Sequence, residues 1–214
     1  IRDVERVRGL GDGYKGQLLA LSVTAIIYGA YVTLMQKDMK RLIAYSSVSH
    51  MGFVTLGIFC LNQNGIEGGI LQMINHGIIT GALFLCVGMI YERTHTRMID
   101  DYGGLFKTVP IYIVFFTIFS LAAIGFPGMN GFIGEFLIIS GAFKANMVIA
   151  AFSILGVILG ASYMVWLYYR VALNEINPNT KAQLTDLDLR EIATLLPLVI
   201  LVFLIGLQPD VLLS

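Results

Sequence analysis

Apolar residues run along this chain in long blocks, broken by short polar stretches. A helix crosses a hydrocarbon core of about 30 Å with roughly 20 consecutive apolar residues. By that length, the blocks near 17–36, 42–61, 68–91, 110–143, 146–173 and 191–213 predict about six membrane-spanning helices. The expected class is therefore an all-α integral membrane protein. Residues 1–16 form a polar segment of undefined placement and 17–173 a five-helix unit. Residues 174–190 are expected to be a loop, and 191–214 a terminal transmembrane helix.

The fourth block is too long for one span. At about 1.5 Å per residue its 110–143 stretch would reach roughly 50 Å. The excess is resolved by Gly125-Phe-Pro-Gly-Met-Asn-Gly131. Pro127 lacks an N–H, and its ring would clash with the carbonyl of Ala123 in a continuous helix. Gly125, Gly128 and Gly131 permit non-helical dihedrals. Two half-helices joined by an unwound link are predicted. Backbone groups freed at that depth must face protein or water, not lipid.

Composition agrees with this class. Of the 214 residues, 57% are hydrophobic and 13% charged, against about 25% charged in soluble domains. The formal net charge of +0 gives no reason to invoke nucleic acid. Cys60 and Cys86 both fall inside apolar blocks and read as packing residues, not as a disulfide or metal pair. No metal-ligand spacing or nucleophile elbow is present. Residues 1–16 lack the apolar core of a secretory signal. The chain opens on Ile1, and a piece of a longer protein is expected. Lys37, Lys40 and Arg41, then Arg93, Arg97 and Lys107, then Arg170, Lys181 and Arg190 mark three loops on one side, the cytoplasmic one by charge bias. Arg2, Arg6, Arg8 and Lys15 run against that bias. Trp166, Tyr168 and Tyr169 beside Arg170 fit an interfacial aromatic belt.

Glu135 is the only charged residue from Thr108 to Phe143. A carboxylate at membrane depth costs about 2.5–3.5 kcal/mol on insertion scales, so it is usually paired or functional. His50 and His76 also lie inside apolar blocks. Counting from Arg41 to His50, from Glu67 to His76 and from Glu135 to Lys144 gives nine residues each time. At about 1.5 Å per residue, all three groups fall near the midplane. Gln72, His76 and Thr80 share a helical face, with Asn75 alongside. Ser46 and His50 share another, flanked by Ser47 and Ser49. Thr24, Tyr28 and Tyr31 form a weaker stripe. Such faces can hold water between helices. A low dielectric disfavours charge on an acid and an imidazole alike, so changing hydration or a moving charge can toggle a proton there. Each group alone also fits an interhelical contact. Three at one depth beside a broken helix favour ion translocation, with Glu135, His76 and His50 as proton-transfer groups. The pairs Gly77/Gly81 and Gly156/Gly160 have the spacing for close helix packing.

Several strings resemble a known family. Gln36-Lys-Asp-Met-Lys-Arg-Leu-Ile-Ala-Tyr-Ser-Ser-Val-Ser-His-Met-Gly-Phe53 and Leu71-Gln-Met-Ile-Asn-His-Gly77 resemble the antiporter-like membrane subunits of respiratory NADH:quinone oxidoreductase, complex I. Tyr91-Glu-Arg-Thr-His-Thr-Arg97 with Gly103-Gly104 narrows the resemblance to the subunit M (mitochondrial chain 4) type. Gly125-Phe-Pro-Gly-Met-Asn-Gly-Phe-Ile-Gly-Glu-Phe136 looks like its discontinuous helix. Residues 1–16 match nothing recognisable in the family.

The resemblance implies two inverted five-helix repeats, of which 17–173 would be the second, followed by a last span. It implies that His50, His76 and Glu135 form an outlet-side proton relay, with Glu135 where sister subunits carry lysine. The glutamate–lysine pair and central lysine of the other half have no counterpart here. The chain would hold no redox cofactor. NADH, FMN, iron–sulfur clusters and quinone would belong to partner subunits, and no flavin, haem or iron–sulfur motif appears. Its partners would be other membrane subunits of complex I and the lipid bilayer. It would lie in an energy-transducing membrane, bacterial inner membrane first, with mitochondrial or plastid membranes open. Subunits of multisubunit sodium/proton antiporters and membrane-bound hydrogenases share the Lys-Arg-Leu-Ile-Ala-Tyr-Ser type of motif. A non-conducting scaffold is a third reading.

Overall fold

A computed structural model describes residues 2–175 and 184–213. Lys181 and the middle of the loop expected over 174–190 lie outside the described residues. The elements are α1 (Arg2–Leu34), α2 (Met39–Phe59), α3 (Gln63–Thr94) and the short α4 (Leu105–Thr108). They continue with α5 (Pro110–Ile124), α6 (Asn130–Ala145), α7 (Met147–Tyr168), α8 (Leu189–Leu207) and a final turn, α9 (Asp210–Leu213). A π-helical turn, Tyr169–Leu173, extends α7. Among the described residues, five helical stretches are long and apolar enough to cross a membrane: Gly13–Leu34, Met39–Phe59, Gln63–Thr94, Met147–Leu173 and Leu189–Leu207. Pro110–Ile124 is apolar but shorter.

Side-chain caps explain where the helices start. Asp38 accepts from the Arg41 amide at 2.9 Å, and Asn62 accepts from the Gly65 amide at 2.9 Å. The Asn62 cap opens α3 at Gln63, ahead of the apolar block near 68. Asn146 accepts from Val148 and Ile149. Asp188 and Glu191 form a reciprocal capping box on α8, satisfying amides that a helix start leaves unpaired. α1 runs back through the polar residues to Arg2 without a break.

The fourth span is discontinuous. α5 stops at Ile124 because Gly125 turns left-handed, with φ 77°. The Gly125 amide then donates to Ala122 O and the Phe126 amide to Leu121 O, a Schellman closure. Gly128 also has a left-handed φ of 91°. The unwound link is 125–129. Gly131 already lies in the first turn of α6, where it lets that turn approach the Ala122 carbonyl. Gly206 of α8 packs directly on the link: a Cβ there would reach Met129 Cα at 2.6 Å. α8 thus covers backbone that would otherwise lack partners in lipid.

α2 runs beside α1 and α3, α3 beside α6, and α7 against α1, α5 and α6. A close backbone approach joins α2, α3 and α6 at Gly57, Gly65 and Gly141. Of the glycine pairs expected to mediate packing, only Gly156 does so, against Ile26 and Phe53. Gly77 and Gly81 face open space within this chain.

Two apolar clusters result. One gathers Met39, Leu42 and Ile43 with α3, α5 and the second half of α7. The other joins Leu19, Val23, Ile26, Phe53, Leu56, Ile138 and Ala150. Along α2 the first cluster ends at Ile43 and the second begins at Phe53. Buried Ser46, Ser49 and His50 fall between them. Gln72, Asn75 and Glu135 complete that buried polar layer.

Candidate functional site

α6 places Glu135 one turn beyond the break, with only 7% of the residue exposed. Its two carboxylate oxygens look in different directions. Oε2 faces the link, where a Cβ on Gly125 would come within 2.9 Å. Oε1 faces α2 and α3. His50 Nδ1 lies 3.5 Å from it, and Gln72 Nε2 donates to it at 3.4 Å. Gln72 reaches this place because Gly134, facing it on α6, has no side chain to displace it.

The row continues through His50. Its ring centroid is 5.5 Å from that of His76, with the planes tilted by 42°. Thr80 Oγ1 stands 3.1 Å from His76 Nδ1. The lateral order is therefore Glu135, His50, His76. The depth count had brought the three to one level without fixing that order.

Tyr163 is a member that sequence reasoning missed. Its hydroxyl, fully buried on α7, lies 3.3 Å from His50 Nε2, with Ser46 beside it. A tyrosine hydroxyl donating to Nε2 leaves the ring proton of neutral His50 on Nδ1, aimed at Glu135. The signal in the sequence was a lone tyrosine deep in an apolar helix, masked by the aromatic belt that follows it.

The supporting residues divide. Asn75 Nδ2 donates to Asn130 O at 2.7 Å and so ties α3 to the start of α6. Ser49 Oγ donates to Ile26 O at 2.9 Å and joins α2 to α1, apart from the row. Ser46 Oγ donates to Ile43 O in its own helix. Tyr28 and Tyr31 are exposed and point away from the polar layer, and Thr24 donates back to Ala20 O. The stripe expected on the first span therefore does not join the site: its positions fall on the face of α1 opposite α2. Pro127 is exposed in the link, while Gly125 and Gly128 supply its left-handed turns. Among the described residues, no group of three or more His, Cys, Asp or Glu could hold a metal ion. Cys60 and Cys86 are buried free thiols.

A helical bundle with a broken span and a buried carboxylate–imidazole row defines a polytopic membrane protein of the discontinuous-helix class. The chain belongs to the NADH:quinone oxidoreductase/Mrp antiporter membrane family, whose model matches residues 10–160. It is similar to NADH-quinone oxidoreductase subunit M of Rhodobacter capsulatus, 50% identical over 190 residues that make up 89% of this chain and 37% of that protein. It is 49% identical over 197 residues to NADH-ubiquinone oxidoreductase chain 4 of Marchantia polymorpha, covering 92% of this chain and 40% of the relative. Among solved structures, a chain of respiratory complex I from Thermus thermophilus with bound NADH superposes with a TM-score of 0.89 at 37% identity. That match covers 94% of this chain and 42% of the other. The chain thus spans about two fifths of the length of the relatives it matches. The resemblance to the subunit M (chain 4) type of complex I holds.

Proposed function

We propose that this chain is part of a proton-translocating subunit in the membrane arm of an NADH:quinone oxidoreductase. The observation that carries the proposal is the row formed by buried Glu135 and His50 with half-buried His76 beside the broken helix. His76 and His50 pass protons laterally, and Glu135, next to the link, controls release. Gln72, Tyr163 and Ser46 orient the row. Asn75 and Thr80 fix its flanks, and Ser49 holds α2 against α1.

The redox chemistry lies elsewhere. NADH, FMN, iron–sulfur clusters and quinone belong to partner subunits, and this chain contributes no redox site. Its partners are the neighbouring antiporter-like membrane subunits, in a bacterial inner membrane or its organellar counterpart. Moving one charge against 100 mV takes about 2.3 kcal/mol, so the row must be driven by events in those subunits. The family description also names Mrp antiporters. Identities of 49–50% with subunit M and chain 4 favour the oxidoreductase.

Glu135→Gln in the complete protein, within the assembled complex, tests the reading. Fewer protons should be translocated per electron while assembly and electron transfer persist. An unchanged ratio rejects the role of Glu135.

A further inference from the structure

Gln72 is 2% exposed, and its two amide ends are treated unequally. Nε2 donates to Glu135 Oε1 at 3.4 Å. Oε1 of the amide is buried with no hydrogen-bond partner among the described residues. The carboxylate oxygen that Gln72 holds is also the one 3.5 Å from His50 Nδ1. One atom of Glu135 thus serves two neighbours, and one of them carries a spare acceptor.

A carboxylate only accepts hydrogen bonds, whereas a carboxylic acid has one O–H to donate. An amide offers donors on one edge and an acceptor on the other, exchanged by rotation about its last torsion. In the observed position Gln72 is matched to charged Glu135. After protonation its N–H no longer meets a charged acceptor, and the new O–H needs one. The amide oxygen is the acceptor without a prior claim. Rotation breaks only the Nε2 bond and makes only the O–H bond, so each position has one bond made and one amide end idle.

We propose that the Gln72 amide is a two-position latch that follows the protonation of Glu135 and keeps its proton from returning to His50. The proposal rests on the reading of Glu135 as a proton-exchanging group. Once His50 is doubly protonated, its Nδ1 proton passes to the Glu135 carboxylate at Oε1, giving neutral imidazole with its remaining proton on Nε2, beside the Tyr163 hydroxyl oxygen, and neutral acid. Rotated Gln72 then accepts the acid's O–H and turns it away from His50. Release of the proton restores the carboxylate, and the amide turns back. Gln72 is a positioning residue in this scheme: the proton never resides on it. Gly134 faces Cα and Cβ of Gln72 as well as the amide oxygen, so the stem stays packed there while the turned amide sets Nε2 where Oε1 now lies.

Infrared difference spectroscopy on the complete complex during turnover tests the latch. In the unsubstituted protein with glutamine labelled at the side-chain carbonyl, a glutamine C=O band should shift together with a carboxylic-acid C=O band that Glu135→Gln abolishes. In Gln72→Met, which keeps length and apolar bulk, the carboxylic-acid band should move to higher wavenumber and protons per electron should fall. Packing alone would be met by methionine and would leave the band in place. A Glu135 band unmoved by Gln72→Met, or no glutamine shift in the unsubstituted protein, overturns the latch and leaves the role of Glu135 standing. Absence of any band lost in Glu135→Gln overturns both. The labelling measurement does not use Gln72→Met, so a misfolded Gln72→Met protein still leaves the latch decided.

Discussion

Glu135 Oε2 lies against the α-carbon of Gly125, so near that a Cβ on Gly125 would sit 2.9 Å from it. The break in the fourth span and the carboxylate beyond it are therefore one construction. The left-handed turn that stops α5 also opens the space the carboxylate fills. A continuous helix would put a side chain and a hydrogen-bonded turn where Glu135 now sits.

Gly125→Ala and Gly128→Ala separate the two roles of these glycines. Both residues have positive φ, and an L side chain in that region costs about 1–2 kcal/mol. Thermal stability in detergent should fall by a similar amount in each. Only Gly125→Ala should also displace Glu135 and lower proton transfer per electron, because the space around Gly128 is open, with Leu207 at 4.0 Å. Equal coupling in the two variants would show that the contact with Gly125 is incidental.

Tyr163→Phe probes the far nitrogen of His50. The ring should stay packed, since phenylalanine fills the same buried place between α2 and α7. The hydrogen bond removed is worth about 1 kcal/mol, roughly a fivefold change in tautomer ratio. Nitrogen NMR of labelled His50 should show the Nδ1–H form losing population, and proton transfer should slow by a similar factor. A tautomer ratio that does not move would mean Tyr163 only fills space.

The sequence revealed what depends on one residue in its own segment. Blocks of about 20 apolar residues have one outcome in a bilayer, and Gly125, Pro127 and Gly128 end a helix by their own covalent structure. His50, His76 and Glu135 stood out because charge is costly in such blocks. Relations between segments were hidden. Gln72 and Glu135 are paired only because Gly134 admits the amide, and glycine carries no mark of its partner. Gly77/Gly81 had the right spacing for packing and meets nothing among the described residues of this chain, whereas Gly57, Gly65 and Gly141 share no motif and touch. Arg93 read as one of several loop charges, yet it is the anchor of the last span.

The glycine contact sets a sharp stability test. A Cβ on Gly141 would reach Gly65 N at 2.5 Å, and one on Gly57 would reach Gly65 O at 2.6 Å. These neighbours are backbone in helices, which cannot rotate away as a side chain can. Gly141→Ala should lower stability by about 1–3 kcal/mol, the range for overpacking a tight interior. Gly77→Ala, in open space within this chain, is the matched control for thermal melting in detergent and should cost far less.

The last prediction concerns Arg93, at the end of α3. Its guanidinium donates twice to Glu191, at 2.8 and 2.6 Å. Its remaining N–H groups reach Met89 O, Thr185 O and Asp186 O. All five donors are occupied, which only a planar fork can achieve. The same strand of chain turns the Asp186 carboxylate onto the amides of Ile111 and Tyr112, at 2.9 and 3.0 Å, capping α5. One residue thus fixes α8 to α3 and, through the 184–188 segment, to α5. α8 in turn covers the helix break at Gly206. Leaving a largely buried partner unpaired costs about 3–5 kcal/mol. Arg93→Ala should therefore expose the 184–188 segment to protease and lower the melting temperature well beyond the effect of Gly125→Ala. Arg93→Lys should recover only part of the loss, because an ammonium supplies three donors and no fork. Full recovery by lysine would show that charge alone, and not the five-bond geometry, holds α8 over the break.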